Sequence, residues 1–171
     1  MRSLPIVLIL LASALPTAAV ARDRPDATLH PAAQTSSPAL RAAVLRIPGY
    51  ARHRPAQWVV SSRYPSWGVT DWYRNTVYIS PSVPPAYLDA VVRHEWSHIL
   101  SVRAYHGDVA AAVRAMNRRF GGAGPTGLRG AEVAADCMAR ELGARWTHYT
   151  ACQSWRWRLA ARRLLAGHEL G

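Results

Sequence analysis

Apolar positions along this chain fall into two regimes, one spaced for strands and one for helices. Between residues 57 and 80, three short runs are rich in aromatic and β-branched residues: Trp58-Val59-Val60, Trp67-Gly68-Val69-Thr70 and Thr76-Val77-Tyr78-Ile79. Turn-forming Ser, Pro and Arg-Asn positions separate them, which predicts a small antiparallel sheet of two to four strands. Before the sheet, Ser37 reads as an N-cap and Pro38 as the first helical residue. Leu40, Val44 and Leu45 supply an apolar face, and Pro48-Gly49 ends that short helix. After the sheet the period lengthens. Pro84-Pro85 opens a helix running to about Val102, in which Leu88, Val91, Val92, Ile99 and Leu100 make it largely buried. Further helices are predicted over 108–119, over 131–142 with Gly143 as the stop, and over 154–166. Residues 121–130, with five glycines and a proline, read as a flexible connection bordering a cleft. The class is α+β, a small antiparallel sheet followed by a helical region, with no internal repeat.

The chain is 171 residues long, which fits one domain behind a leader. Residues 1–21 have the form of a secretory signal: Arg2, a short apolar run over 6–15, and Ala19-Val20-Ala21 at the cleavage positions. Pro5 and Pro16 interrupt that apolar stretch, which is too short for a transmembrane span. It holds no cysteine for lipid attachment. Residues 22–37, rich in Pro, Ala, Ser and Thr, read as a flexible linker, leaving 38–171 as the working domain. In an exported protein the paired Cys137 and Cys152 suggest a disulfide. Neither belongs to a C-x-x-C pair, so they are poor zinc ligands.

All 21 basic side chains are arginine, and the formal net charge is +11. That charge favours anionic partners such as a cell-envelope surface. Nucleic acid fits neither the export signal nor any motif present.

The chemistry concentrates in His94-Glu95-Trp96-Ser97-His98, inside the buried helix. Two histidines at i and i+4 stack on one helix face, so both imidazoles can reach one metal ion. Glu95 is rotated to the rim of that face, where it can take a proton from water without becoming a ligand. A catalytic zinc site needs a third protein ligand. The extension H-E-x-x-H-x-x-G-x-x-H would require Gly at 101 and His at 104, where the chain has Ser101 and Ala104. His106 could return to the metal only through a sharp reversal. Glu132 is the better candidate. It and Asp136 are again i and i+4 on a predicted helix, so one carboxylate can bind metal while the other holds a ligating imidazole.

H-E-x-x-H followed by E-x-x-x-D on a later helix resembles the gluzincin group of zinc metallopeptidases. The likeness spans about residues 57–143, and Ala131 stands where many gluzincins carry Asn. It implies a zincin-like fold, with Zn²⁺ held by His94, His98 and Glu132. Glu95 would be the general base and Asp136 would support His94. The strand 77–79 would be the edge along which a peptide or protein substrate aligns. Tyr149 and His148 are the candidates for stabilising the oxyanion, because a Cys137–Cys152 bridge would hold their segment near Glu132. The expectation is a secreted, monomeric zinc metallopeptidase. Two rivals are a secreted zinc-containing binding module without catalysis, and an envelope-binding protein that uses its basic C-terminal helix. In that helix Trp157, Ala160, Ala161, Leu164 and Leu165 form one face.

Overall fold

Ser37 caps the first helix by accepting a hydrogen bond from the Leu40 amide at 3.3 Å, so that α1 (Pro38–Leu45) begins where the Ser-Pro pair places it. The computed structural model describes residues 37–171; the leader 1–21 and all but the final residue of the linker 22–37 lie outside the described residues. A single 3₁₀ turn, Tyr50–Arg52, leads into the sheet. The strands are β1 (Gln57–Val60), β2 (Gly68–Asp71) and β3 (Thr76–Ile79). Helices α2 (Pro85–Ala104), α3 (Val109–Arg119), α4 (Arg129–Glu141) and α5 (Trp155–Leu165) follow. The α+β class is as the residue pattern implies.

The sheet departs from expectation in its pairing. Its order is β1-β3-β2, with β1 parallel and β2 antiparallel to β3, so it is mixed rather than antiparallel. β2 and β3 form a hairpin whose turn ends at Asn75, which takes the left-handed conformation at φ 50°. β1 then pairs with the other side of β3, so β3 is central and buries Thr76, Val77 and Ile79. The strand expected at the substrate edge is therefore interior, and β2 is an edge. The Ser80 amide bonds to the Trp67 carbonyl at 2.9 Å. Ladder alternation from that pair turns the main-chain groups of Gly68 and Thr70 toward the unpaired side.

Helix α2 runs through the middle of the molecule, touching α1, α3, α4, α5 and two strands. It can do so because Val92, Trp96, Ile99, Leu100 and Val102 bury nearly all their surface on several sides. Trp96 is fully buried under Tyr50, Trp58 and the Arg103 guanidinium. α3 and α4 approach closely at Gly130, where a Cβ would collide with the backbone of Asn117. Asn117 donates to the Gly127 carbonyl at 2.8 Å and accepts from the Gly130 amide at 3.0 Å. The glycine-rich segment is thereby pinned to α3, and none of its residues lines the cleft beside His94 and Glu95. Its role is to deliver the start of α4 rather than to border the cleft.

On α5, Ala160, Ala161 and Leu164 are buried, and Trp157 and Leu165 pack against the core. The apolar face that the sequence offers for surface binding is thus consumed by the fold. Among the described residues no helix is long and apolar enough to cross a membrane. Cys137 and Cys152 form a disulfide, fastening the segment between α4 and α5 onto α4. Loop closure of this size is worth about 3 kcal/mol. Replacing both cysteines by serine is expected to lower the unfolding free energy by about 2–4 kcal/mol. Urea unfolding monitored by circular dichroism measures this, and an unchanged midpoint would contradict it.

Candidate metal centre

Helical spacing puts His94 and His98 one turn apart on α2, and α4 crosses that face to bring Glu132 against them. Three atoms converge. His94 Nε2 lies 3.1 Å from Glu132 Oε2, His98 Nε2 lies 3.3 Å from the same oxygen, and the two Nε2 atoms are 3.2 Å apart. A first-row metal ion with tetrahedral bonds of about 2.0–2.1 Å has donor–donor edges of about 3.3 Å. The triangle therefore has the dimensions of one face of such a site. His94, His98 and Glu132 form a His-His-Glu group that could hold a metal ion. Glu132 reaches it from the first turn of α4, where the helix dipole favours a carboxylate.

The supporting contacts are asymmetric. Asp136, only 1% exposed, accepts a hydrogen bond from His94 Nδ1 at 2.8 Å. It also accepts the backbone amides of Tyr149 and Thr150. That fixes the His94 ring with Nε2 toward Glu132 and leaves Nε2 as the atom available to a metal ion. His98 has no such partner: its Nδ1 is buried and unbonded, with the Trp72 ring edge-on at 5.8 Å.

Glu95 is 6% exposed and stands apart from the donor triangle. Thr70, on β2, donates to its Oε2 at 2.8 Å. The other oxygen lies against Gly68, where any Cβ would clash with the carboxylate. These two strand residues position Glu95, and neither emerged from the motif. An interior glycine in a strand is a signal of close approach that could have exposed Gly68; Thr70 carries no comparable mark.

A cavity of about 350 Å³ opens over His94, Glu95 and Asp136. Its lining includes Trp67, Gly68, Trp146, His148 and Tyr149, and the Trp67 and Trp146 rings pack on each other at 5.8 Å. The Tyr149 ring stacks on His94 at 5.9 Å, and His148 packs edge-on to Tyr149 at 4.7 Å. Both oxyanion candidates thus sit at the cleft. His106 does not: it is exposed in the turn after α2, at φ 54°, and belongs to no metal-ligating group.

Electrostatics without an ion follow from this packing. Burial disfavours the His94 imidazolium, but its hydrogen bonds to Asp136 and Glu132 prevail and push its pKa up to about 10. Burial also opposes the Glu132 charge, yet donation from His94 and His98 holds its carboxyl well below the usual range. Burial and the neighbouring Glu132, Asp136 and Glu95 charges push Tyr149 up to about 12, so its hydroxyl remains a donor at neutral pH.

Compared with protein-family models, curated proteins and solved structures, the chain has no significant match in any of the three.

Two outcomes are expected. Metal analysis should find a single bound divalent ion, lost in large part on Glu132→Ala and retained on His106→Ala; full occupancy in the Glu132 variant would contradict the triangle. In the metal-free protein, the raised His94 pKa adds stability that is complete below about pH 6.5 and is lost as pH rises toward about 10. The depressed Glu132 pKa describes the same ion pair from its other partner and adds stability above the ordinary carboxylate range, lost as pH falls through its own pKa. A denaturation midpoint that is flat between pH 6.5 and 10 in chelator would count against this pairing.

Proposed function

We propose that this protein is a secreted zinc metallopeptidase, similar to gluzincins, that hydrolyses peptide bonds. One observation carries the reading: a triangle of two imidazole nitrogens and one carboxylate oxygen, with a fourth group, Glu95, held beside it at the cleft but outside the triangle. Two imidazoles with one carboxylate suit zinc better than magnesium or calcium, which take oxygen ligands. The disulfide fits an exported protein.

When bound, a zinc ion on His94, His98 and Glu132 supplies Lewis-acid polarisation of the scissile carbonyl and of the attacking water. The chain's own residues do the rest. Glu95 takes the proton from water as it attacks and returns it to the leaving amine. Thr70 holds Glu95 Oε2, and Gly68, having no side chain, leaves the room beside β2 in which Oε1 can take the proton. Asp136 holds the His94 ring in the ligating tautomer. Tyr149 is neutral at working pH and half exposed at the cleft mouth, so its hydroxyl can donate to the oxygen that gains charge. A peptide running beside β2 would pair with the outward main-chain groups of Gly68 and Thr70, displacing the Ser66 hydroxyl that now donates to the Gly68 carbonyl at 2.9 Å. The Trp67–Trp146 wall, with ring centres 5.8 Å apart, favours a bulky apolar side chain next to the scissile bond.

Glu95→Gln is expected to retain the ion and lower turnover of a peptide library by at least about 10²-fold. Undiminished turnover would reject Glu95 as the base. Gly68→Ala should also retain the ion but lose activity, because the added methyl displaces the Glu95 carboxylate. Tyr149→Phe should reduce kcat by about 10²–10³-fold with little change in KM; a KM effect alone would assign the hydroxyl to ground-state binding.

A further inference from the structure

Helix α5 has two apolar faces, and the fold uses one of them. Ala160, Ala161 and Leu164 are buried, with Trp157 packed on Phe120 at a ring distance of 6.1 Å. Trp155 and Leu159 lie on the opposite side, one helical turn apart, and are 68% and 48% exposed. At about 100° per residue, Arg156 and Arg163 flank this pair on one side and Arg158 and Arg162 on the other.

The arginines are arranged rather than merely numerous. Arg158 and Arg162 both donate to Glu141 on α4, at 2.9 and 2.7 Å, yet their side chains stay 52% and 58% exposed. One carboxylate thus orients two guanidiniums along the rim while offsetting one of four positive charges. The Arg156 guanidinium lies 5.6 Å from the Trp155 ring. Arg163 donates to the Glu169 main-chain carbonyl at 3.3 Å. No acidic side chain occurs within α5 itself, and Glu169, just beyond it, is the nearest acidic residue along the chain.

We propose that this outward face of α5 docks on an anionic lipid surface. Trp155 and Leu159 enter the headgroup layer, and the four arginines meet lipid phosphates. Charge complementarity supplies the sign of the partner, consistent with the net charge of +11. The exposed apolar pair at the centre of the basic ring selects a lipid surface over a soluble polyanion, which needs charge alone. Tryptophan is the side chain most at home at the level of the headgroups. Docking of this kind is peripheral and reversible, since two residues bury too little surface for stable insertion. It uses no residue of the metal centre, so it stands independently of the hydrolytic reading.

The test is co-sedimentation of the full chain with vesicles of phosphatidylcholine plus phosphatidylglycerol, against vesicles of phosphatidylcholine alone. Binding is expected to the mixed vesicles only and to weaken with added salt. The pair Trp155→Ser and Leu159→Ser should lower the partition coefficient at least about tenfold, as should Arg156→Gln with Arg163→Gln. All four positions are exposed, so melting temperatures should match the parent; the single variant Leu159→Ser serves if the pair perturbs folding. Three results would overturn the proposal: no sedimentation with the anionic vesicles, equal sedimentation with both kinds, or loss of binding in the arginine variant only. The last would identify a soluble polyanion, recognised by charge, as the partner.

Discussion

A single buried carboxylate organises the site. Asp136 is almost completely shielded from solvent, a placement that costs several kcal/mol unless the charge is fully hydrogen-bonded. It is bonded on both oxygens: one to His94 on α2, the other to the amides of Tyr149 and Thr150. Three segments distant in sequence are therefore fixed to each other at one point. Cys137, the next residue, ties α4 covalently to Cys152 a few positions further along the same segment. Hydrogen bonds and disulfide act on the same two stretches of chain, which is how so small a domain keeps a loop residue in register with a helix residue.

From that junction the rest of the cleft follows. α2 contributes two imidazoles because it is buried on several faces and cannot rotate. α4 contributes Glu132 because Gly130 lets it approach α3 closely and Asn117 pins its first turn. β2 contributes Thr70 and the bare Gly68, which seat Glu95 beside the donor triangle. The segment after α4, Trp146 to Tyr149, adds aromatic residues to the cleft lining. Each wall thus comes from an element already needed for the core.

Local chemistry was well marked in the sequence. Ser37-Pro38 and Pro84-Pro85 announce helix starts through capping and fixed φ, and the helices begin at those places. His94, His98, Glu132 and Asp136 were legible because i, i+4 spacing on a helix is a geometric statement by itself. Strand order was not. Nothing in Trp58-Val59-Val60 or Thr76-Val77-Tyr78-Ile79 says which neighbour it will pair with; β3 is central because β1 pairs parallel to its far side, across from the β2–β3 hairpin. Thr70 stayed hidden for the same reason, since its partner is 25 residues away and on another element. The faces of α5 show the limit of periodicity: Trp157 and Leu164 mark an amphipathic helix, but only the fold shows that this face is inside and that Trp155 and Leu159 are outside.

The zinc ion proposed for the site would sit on His94 Nε2, His98 Nε2 and Glu132 Oε2. Anomalous diffraction across the zinc absorption edge, on crystals of the protein grown without added metal, tests it most directly. One anomalous peak is expected, about 2.0–2.1 Å from each of those three atoms. A fully ordered site without a peak, or a peak ligated by other side chains, would contradict it.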